Sequence, residues 1–144
     1  MVRVNLIEPV RLADQHLIAE YNEILMLLGY VRKNPILDKI PKKYCLGTGH
    51  IKFFKDKLTY LKKRHETIKK EMKSRGFKTD KKINLDEFPK ELVNDWAPEN
   101  GDYDIIKERI SWKIKTKPNY YRYKGEKKEV DFFLDLLRKD NISN

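Results

Sequence analysis

Asp14-Gln15-His16-Leu17-Ile18-Ala19-Glu20-Tyr21-Asn22-Glu23-Ile24-Leu25-Met26-Leu27-Leu28 decides the fold class. Leu17, Tyr21, Ile24 and Leu28 recur at three- and four-residue spacing, which gathers side chains on one face of an α-helix. Asp14 stands where a helix cap belongs, and Gly29 interrupts the pattern without ending it. Two more segments repeat the period. From Asp56 to Arg75 the apolar positions are Leu58, Leu61, Ile68 and Met72, with Gly76 as the C-terminal stop and a nearly all-lysine opposite face. From about Tyr103 to Lys115 they are Ile105, Ile106, Ile110 and Ile114, until Pro118 stops the helix. The segment from Glu129 to Lys139, with Val130, Phe133, Leu134 and Leu137 on one side, predicts a short fourth helix docked on the body.

The intervening stretches read as loops. Residues 34–50 hold Pro35, Pro41, Gly47 and Gly49; residues 80–104 hold Pro89, Pro98 and Gly101 and predict at most one short turn. Val2 to Leu6 is too short to be a buried strand of consequence, and Pro9 follows, so it reads as an extended arm. There is no internal repeat, no low-complexity tract and nothing resembling a β-sheet domain. The expectation is an all-α, compact single domain over residues 1–144: three main helices with long loops, plus the short C-terminal helix.

With 144 residues, 32 Lys plus Arg against 22 Asp plus Glu, the chain carries a formal net charge of +10. The excess is uneven: +9 over residues 51–82, −6 over residues 83–104 and +6 over residues 105–139. Two basic blocks flanking an acidic loop suit a polyanionic partner, although two solvated lysine-rich helix faces would read the same way. The single cysteine, Cys45, excludes an intramolecular disulfide and cannot alone furnish a structural zinc site. The opening residues lack a signal-peptide core, and no stretch approaches the ~20 apolar residues of a membrane span. The expected protein is soluble, cytoplasmic and a monomer.

Helical spacing places His16, Glu20 and Glu23 in one stripe, two carboxylates beside an imidazole. Both glutamates could equally solvate an exposed face. His16, His50 and His65 lie far apart, no Asp-x-Asp, His-x-x-x-His or Cys-x-x-Cys spacing occurs, and Gly47-Thr48-Gly49-His50 is not a phosphate-binding loop. No metal or cofactor is expected. Lysine and the chain's α-amine remain as nucleophiles. Near pH 7 roughly a tenth of α-amines are neutral, against well under a thousandth of unperturbed lysines. An amine attacking a sugar C1′ forms a Schiff base, and a nearby carboxylate can then move protons for β-elimination.

Several stretches resemble the phage-type pyrimidine-dimer DNA glycosylases, the endonuclease V family. They are Arg3-Val4-Asn5-Leu6, Leu12-Ala13-Asp14-Gln15-His16-Leu17, Ala19-Glu20-Tyr21, Glu23, Val31-Arg32-Lys33, Leu46-Gly47, Gly49-His50, Phe53-Phe54, Asp56-Lys57-Leu58 and Arg75-Gly76-Phe77. Arg109, Lys113, Pro118, Tyr121, Tyr123 and Gly125 continue the likeness, which covers residues 2–125 and leaves residues 126–144 as an extension without a functional reading. The resemblance implies removal of the initiator methionine and attack by the α-amine of Val2, with Glu23 as the essential acid. It places Arg3, Gln15, His16, Arg109 and Lys113 against the DNA or in the site. Arg32, Lys33, Tyr121, Arg122 and Tyr123 complete the expected DNA-contacting set, the tyrosines by stacking on exposed bases or sugars, with packing of at least one tyrosine on the helical core as the alternative. The implied partner is double-stranded DNA carrying damaged or abasic sites, sharply kinked, with a base turned out of the stack, and the implied location is the nucleoid. The implied activity is a metal-independent glycosylase and AP lyase. Val2 replaces the family's usual threonine, and Asn22 and Met26 stand where the well-known phage enzyme has arginines. These departures point to a weaker phosphate grip and a possible change of lesion; a non-catalytic basic DNA-binding protein is the competing expectation.

Overall fold

The computed structural model describes residues 3–138. Val2, the expected nucleophile, lies outside the described residues, as does Lys139 at the end of the last predicted helix. Among the described residues the fold is all-α apart from one hairpin, and the helices and strands run α1 (Asp14–Lys33), α2 (His50–Phe54), α3 (Leu58–Ser74), α4 (Asn100–Thr116), β1 (Arg122–Tyr123), β2 (Glu126–Lys127) and α5 (Val130–Arg138). α1, α3 and α4 are the three long helices that the periodicity predicts, and α5 is the short fourth.

α1 passes through Gly29 unbroken and buries Leu17, Tyr21, Ile24, Leu27, Leu28 and Val31. It packs on Leu58, Leu61, Ile68 and Met72 of α3, while Ile106, Ile110 and Ile114 of α4 close the core from another side. Each such side chain contributes roughly 1.5–3 kcal/mol by leaving water. Ile105, expected in that core, is 40% exposed, because it sits one position off the buried stripe.

Asp14 is not the cap. Ala13 holds that place, and Asp14 is the first helical residue. Its carboxylate instead accepts from Arg75 Nη1 at 2.9 Å and from the backbone N–H groups of Lys124 and Gly125 at 2.9 and 2.8 Å. Lys124 and Gly125 both have positive φ, 52° and 85°, as a two-residue hairpin turn demands. One side chain thus pins α1, the end of α3 and the β1–β2 turn together.

Helix boundaries differ from the predicted ones for local reasons. α3 starts at Leu58, where the Asn94 carbonyl accepts from Thr59 N at 3.1 Å and satisfies an orphan amide. α4 starts three residues before Tyr103, because Glu99 and Asp102 form a capping box that carries the helix through Gly101. α2 begins at His50, the last residue of the stretch expected to be loop, and occupies positions before Asp56 for which no helix was predicted.

The largest departure is the N-terminal arm. It forms no regular strand, in keeping with the arm expected there, yet Arg3, Val4, Asn5, Leu6 and Ile7 are all buried. The arm ends in a tight turn with Ile7 N donating to Asn5 O at 2.6 Å across Leu6, whose φ is +61°. A non-glycine residue in that region is strained and persists only when its surroundings hold it. Arg64 holds it here. Its Nη1 donates to Leu6 O and Ile7 O at 3.0 and 2.7 Å, while Nε and Nη2 grip Glu20 at 2.7 and 3.0 Å.

Candidate functional site

The expected stripe of His16, Glu20 and Glu23 separates into two roles. Glu20 is fully buried against Arg64 and is a structural ion, neither solvated nor open to a ligand. Glu23, one turn further along, is half-buried and accepts the backbone N–H of Arg3 at 2.9 Å. The arm therefore meets α1 at this carboxylate. Burial raises the Glu23 pKa above its ordinary value, opposed by the Arg3 N–H and the Arg3 guanidinium.

Positive charge converges on the same place. Arg109 and Lys113 of α4 lie close to Arg3 of the arm, and charge is disfavoured on Arg3 and Lys113. Burial first, and then Arg109, lowers the pKa of Arg3; burial first, and then Arg3 and Arg109, lowers that of Lys113, with Glu23 pulling the other way. Two cations from α4 are one turn apart by sequence, so both face the arm. An anion entering between them would relieve this repulsion, the physical signature of a phosphate-binding surface.

His16 lies beside the cluster, its ring 4.7 Å from that of Tyr121, and neither ring nitrogen has a hydrogen-bond partner among the described residues. Burial, then the Lys113 and Arg3 charges, holds its pKa down at about 4. An unfolded histidine titrates near 6.5, so on acidification the unfolded chain takes up this proton first. Stability fully present above pH ~6.5 is expected to fall by about 3 kcal/mol for this group as the pH approaches 4. Urea midpoints at neutral pH and near pH 4 check it: His16→Gln should lose less between the two than the wild type, and equal losses would remove the argument.

Gln15 presents its amide edge to the segment before the hairpin. Its Nε2 donates to Tyr120 O at 2.8 Å and its Oε1 accepts from Arg122 N at 3.0 Å, as a neighbouring strand would. Tyr121 is thereby held inward, buried on His16, while Tyr120 stays half exposed with Lys117 over its ring. Arg122 is exposed and donates to Gly125 O. Tyr123 turns elsewhere, its hydroxyl on Val10 O and its ring beneath Arg75.

The structure thus brings Arg3, His16, Glu23, Arg109, Lys113 and Tyr121 together, with Gln15 and Arg122 at the rim. Arg32 and Lys33 do not join them. Nine residues beyond Glu23, Arg32 is half a helical circumference away and ~13.5 Å along the axis, where it pairs with Glu87 and covers Phe88. Lys33 is exposed at the same end of α1. Beyond Arg109 opens a cleft of about 380 Å³ lined also by Leu46, Ile105, Glu108 and Trp112, the last 55% exposed.

Sequence reasoning did not find Tyr44 and Arg64, and it gave no role to His50. All three hold the arm's backbone, through partners 40 to 58 residues away, which no local spacing encodes. Among the described residues no helix is long and apolar enough to cross a membrane, and no three His, Cys, Asp or Glu side chains gather as metal ligands would. A family model described as pyrimidine dimer DNA glycosylase matches residues 1–85, the stretch that carries the arm, α1, α2 and α3.

Proposed function

Because the chain belongs to the pyrimidine dimer DNA glycosylase family, we propose that it releases damaged pyrimidines from duplex DNA through an imine on the α-amine of Val2 and then cleaves the strand by β-elimination. The nitrogen lone pair attacks C1′, the glycosidic bond breaks, and the base departs with the bonding electrons and takes up a proton. Opening of the sugar ring yields the imine. Loss of a C2′ proton then expels the 3′ phosphate.

One observation carries this reading: Arg3 N–H donates to Glu23 at 2.9 Å. Val2 is joined to that nitrogen by a single peptide bond, so an α-amine at Val2 is tethered within one residue length, ~3.8 Å, of a group that Glu23 already holds. Retaining Met1 would displace the amine by a further residue. Glu23, whose pKa burial raises, is the carboxyl placed to exchange protons, first with the sugar oxygen and then at C2′. Arg3, Arg109 and Lys113 hold the flanking phosphates. Gln15 fixes the segment that carries Tyr121 and Arg122, and one chain supplies every part, so the protein acts as a monomer. No step calls on a metal.

Borohydride reduces an imine to a stable amine and tests the reading directly. Incubated with duplex DNA containing an abasic site, in EDTA, the protein is expected to become covalently linked, and peptide mass mapping should put the adduct on Val2. The same adduct is expected on duplexes bearing cyclobutane pyrimidine dimers. No adduct on abasic DNA, or one on a lysine side chain, would end this account.

A further inference from the structure

The backbone of the arm is held by side chains where a sheet would use strands. Arg3 N goes to Glu23, Val4 N to His50 Nε2 at 2.8 Å, and Val4 O accepts from the Tyr44 hydroxyl at 3.0 Å. His50, the first residue of α2, is buried, and its Nδ1 lies 2.8 Å from Cys45 O. A carbonyl oxygen can only accept, so Nδ1 carries the hydrogen. An amide N–H can only donate, so Nε2 is bare. Both partners therefore require the neutral Nδ1–H tautomer, and a second proton on the ring would confront the Val4 N–H with another donor.

We propose that His50 is a positioning residue for the reaction: as a neutral acceptor it sets the register of the arm at Val4 and so places the amine two residues earlier over Glu23. The proposal rests on the α-amine mechanism above. Tyr44 fixes the opposite edge of the same residue, so Val4 is clamped on both its backbone groups. A slip of one residue would carry the amine ~3.5 Å from its place and drive the Arg3 side chain toward the apolar site that Val4 fills. Neither His50 nor Tyr44 touches substrate. Groups facing the imidazole are Arg3 from the arm, Glu20 from α1, and Tyr44 with Cys45 O from the preceding loop. Burial, then Arg3, lowers its affinity for a proton, while the Cys45 bond and Glu20 raise it. Its protonation at acid pH disengages the arm.

Three measurements test the assignment. At saturating abasic duplex, His50→Leu is expected to slow borohydride trapping ~10²-fold with Kd moved less than about threefold, and His50→Gln, whose side-chain oxygen can accept from Val4 N, to recover to within about tenfold of wild type. Nitrogen-15 spectra of the wild-type chain at neutral pH should show His50 protonated on Nδ1 and bare on Nε2, with a scalar coupling to the Val4 amide. Wild-type trapping rates in His50→Leu, equal losses in folded His50→Leu and His50→Gln, or the opposite tautomer would each overturn the proposal. If the variants do not fold, the tautomer and the coupling decide it alone. A wild-type chain that forms no adduct sinks the amine mechanism, and with it the catalytic half of this inference; the coupling still judges the clamp itself.

Discussion

Glu23→Gln is expected to lose strand cleavage at abasic sites by ~10³-fold while binding the same duplex within a few-fold of wild type. The side-chain oxygen of glutamine can still accept from Arg3 N, so the arm stays seated and the loss isolates the missing proton exchange. Binding is expected to be retained because the proposed phosphate contacts, Arg3, Arg109 and Lys113, are all untouched. Stability separates this outcome from mere damage. Burial raises the pKa of Glu23 in the folded chain, so its carboxylate form is disfavoured there at neutral pH. The neutral amide should consequently leave Tm equal or higher. Single-turnover cleavage, a binding isotherm and a melting curve on one preparation decide it, and a variant that still cleaves at more than about a tenth of the wild-type rate would remove Glu23 from the mechanism.

The second large effect concerns stability. Removing one member of the Glu20–Arg64 pair, as in Glu20→Ala, is expected to cost about 3–5 kcal/mol in urea denaturation, because an ion is left buried without its partner. Arg64 also supports the strained turn at Leu6 through two carbonyls, so the arm should loosen along with the core. Glu20→Leu combined with Arg64→Met should regain much of the loss in global stability, since apolar replacement of both ions removes their desolvation cost. The trapping rate of that double variant should stay low, because nothing then holds the Leu6 and Ile7 carbonyls. A cost below about 1 kcal/mol for Glu20→Ala would show that the pair is dispensable.

The long helices were legible because burial on a 3.6-residue period leaves its mark in every turn. What escaped depended on partners distant in sequence. Glu20 and Glu23 share a helical stripe and a residue type; only Arg64, forty-four residues on, makes one structural and the other available for chemistry. Asp14 carries a capping residue's composition, but two backbone amides of a distant turn and Arg75 claim its carboxylate. Four-residue pairings such as that of β1 with β2 are too short to show a period of two, and α2 was hidden because Gly47 and Gly49 on its approach read as breakers. The arm was legible as lying outside the helices and not as buried, since its hydrogen bonds go to side chains of four other segments. In the candidate site, Arg109 and Lys113 were recognised through resemblance and then found beside Arg3, whereas Arg32 and Lys33, flagged in the same way, lie at the far end of α1.

The centre draws on two stretches of chain. The side chains that seat the arm, Glu23, Tyr44, His50 and Arg64, lie wholly within the first half, and the α4 and hairpin residues beside Arg3 come from residues 109–122. On the proposed reading, a substitution in the second stretch would alter how firmly a duplex is held without touching the side chains that seat the arm.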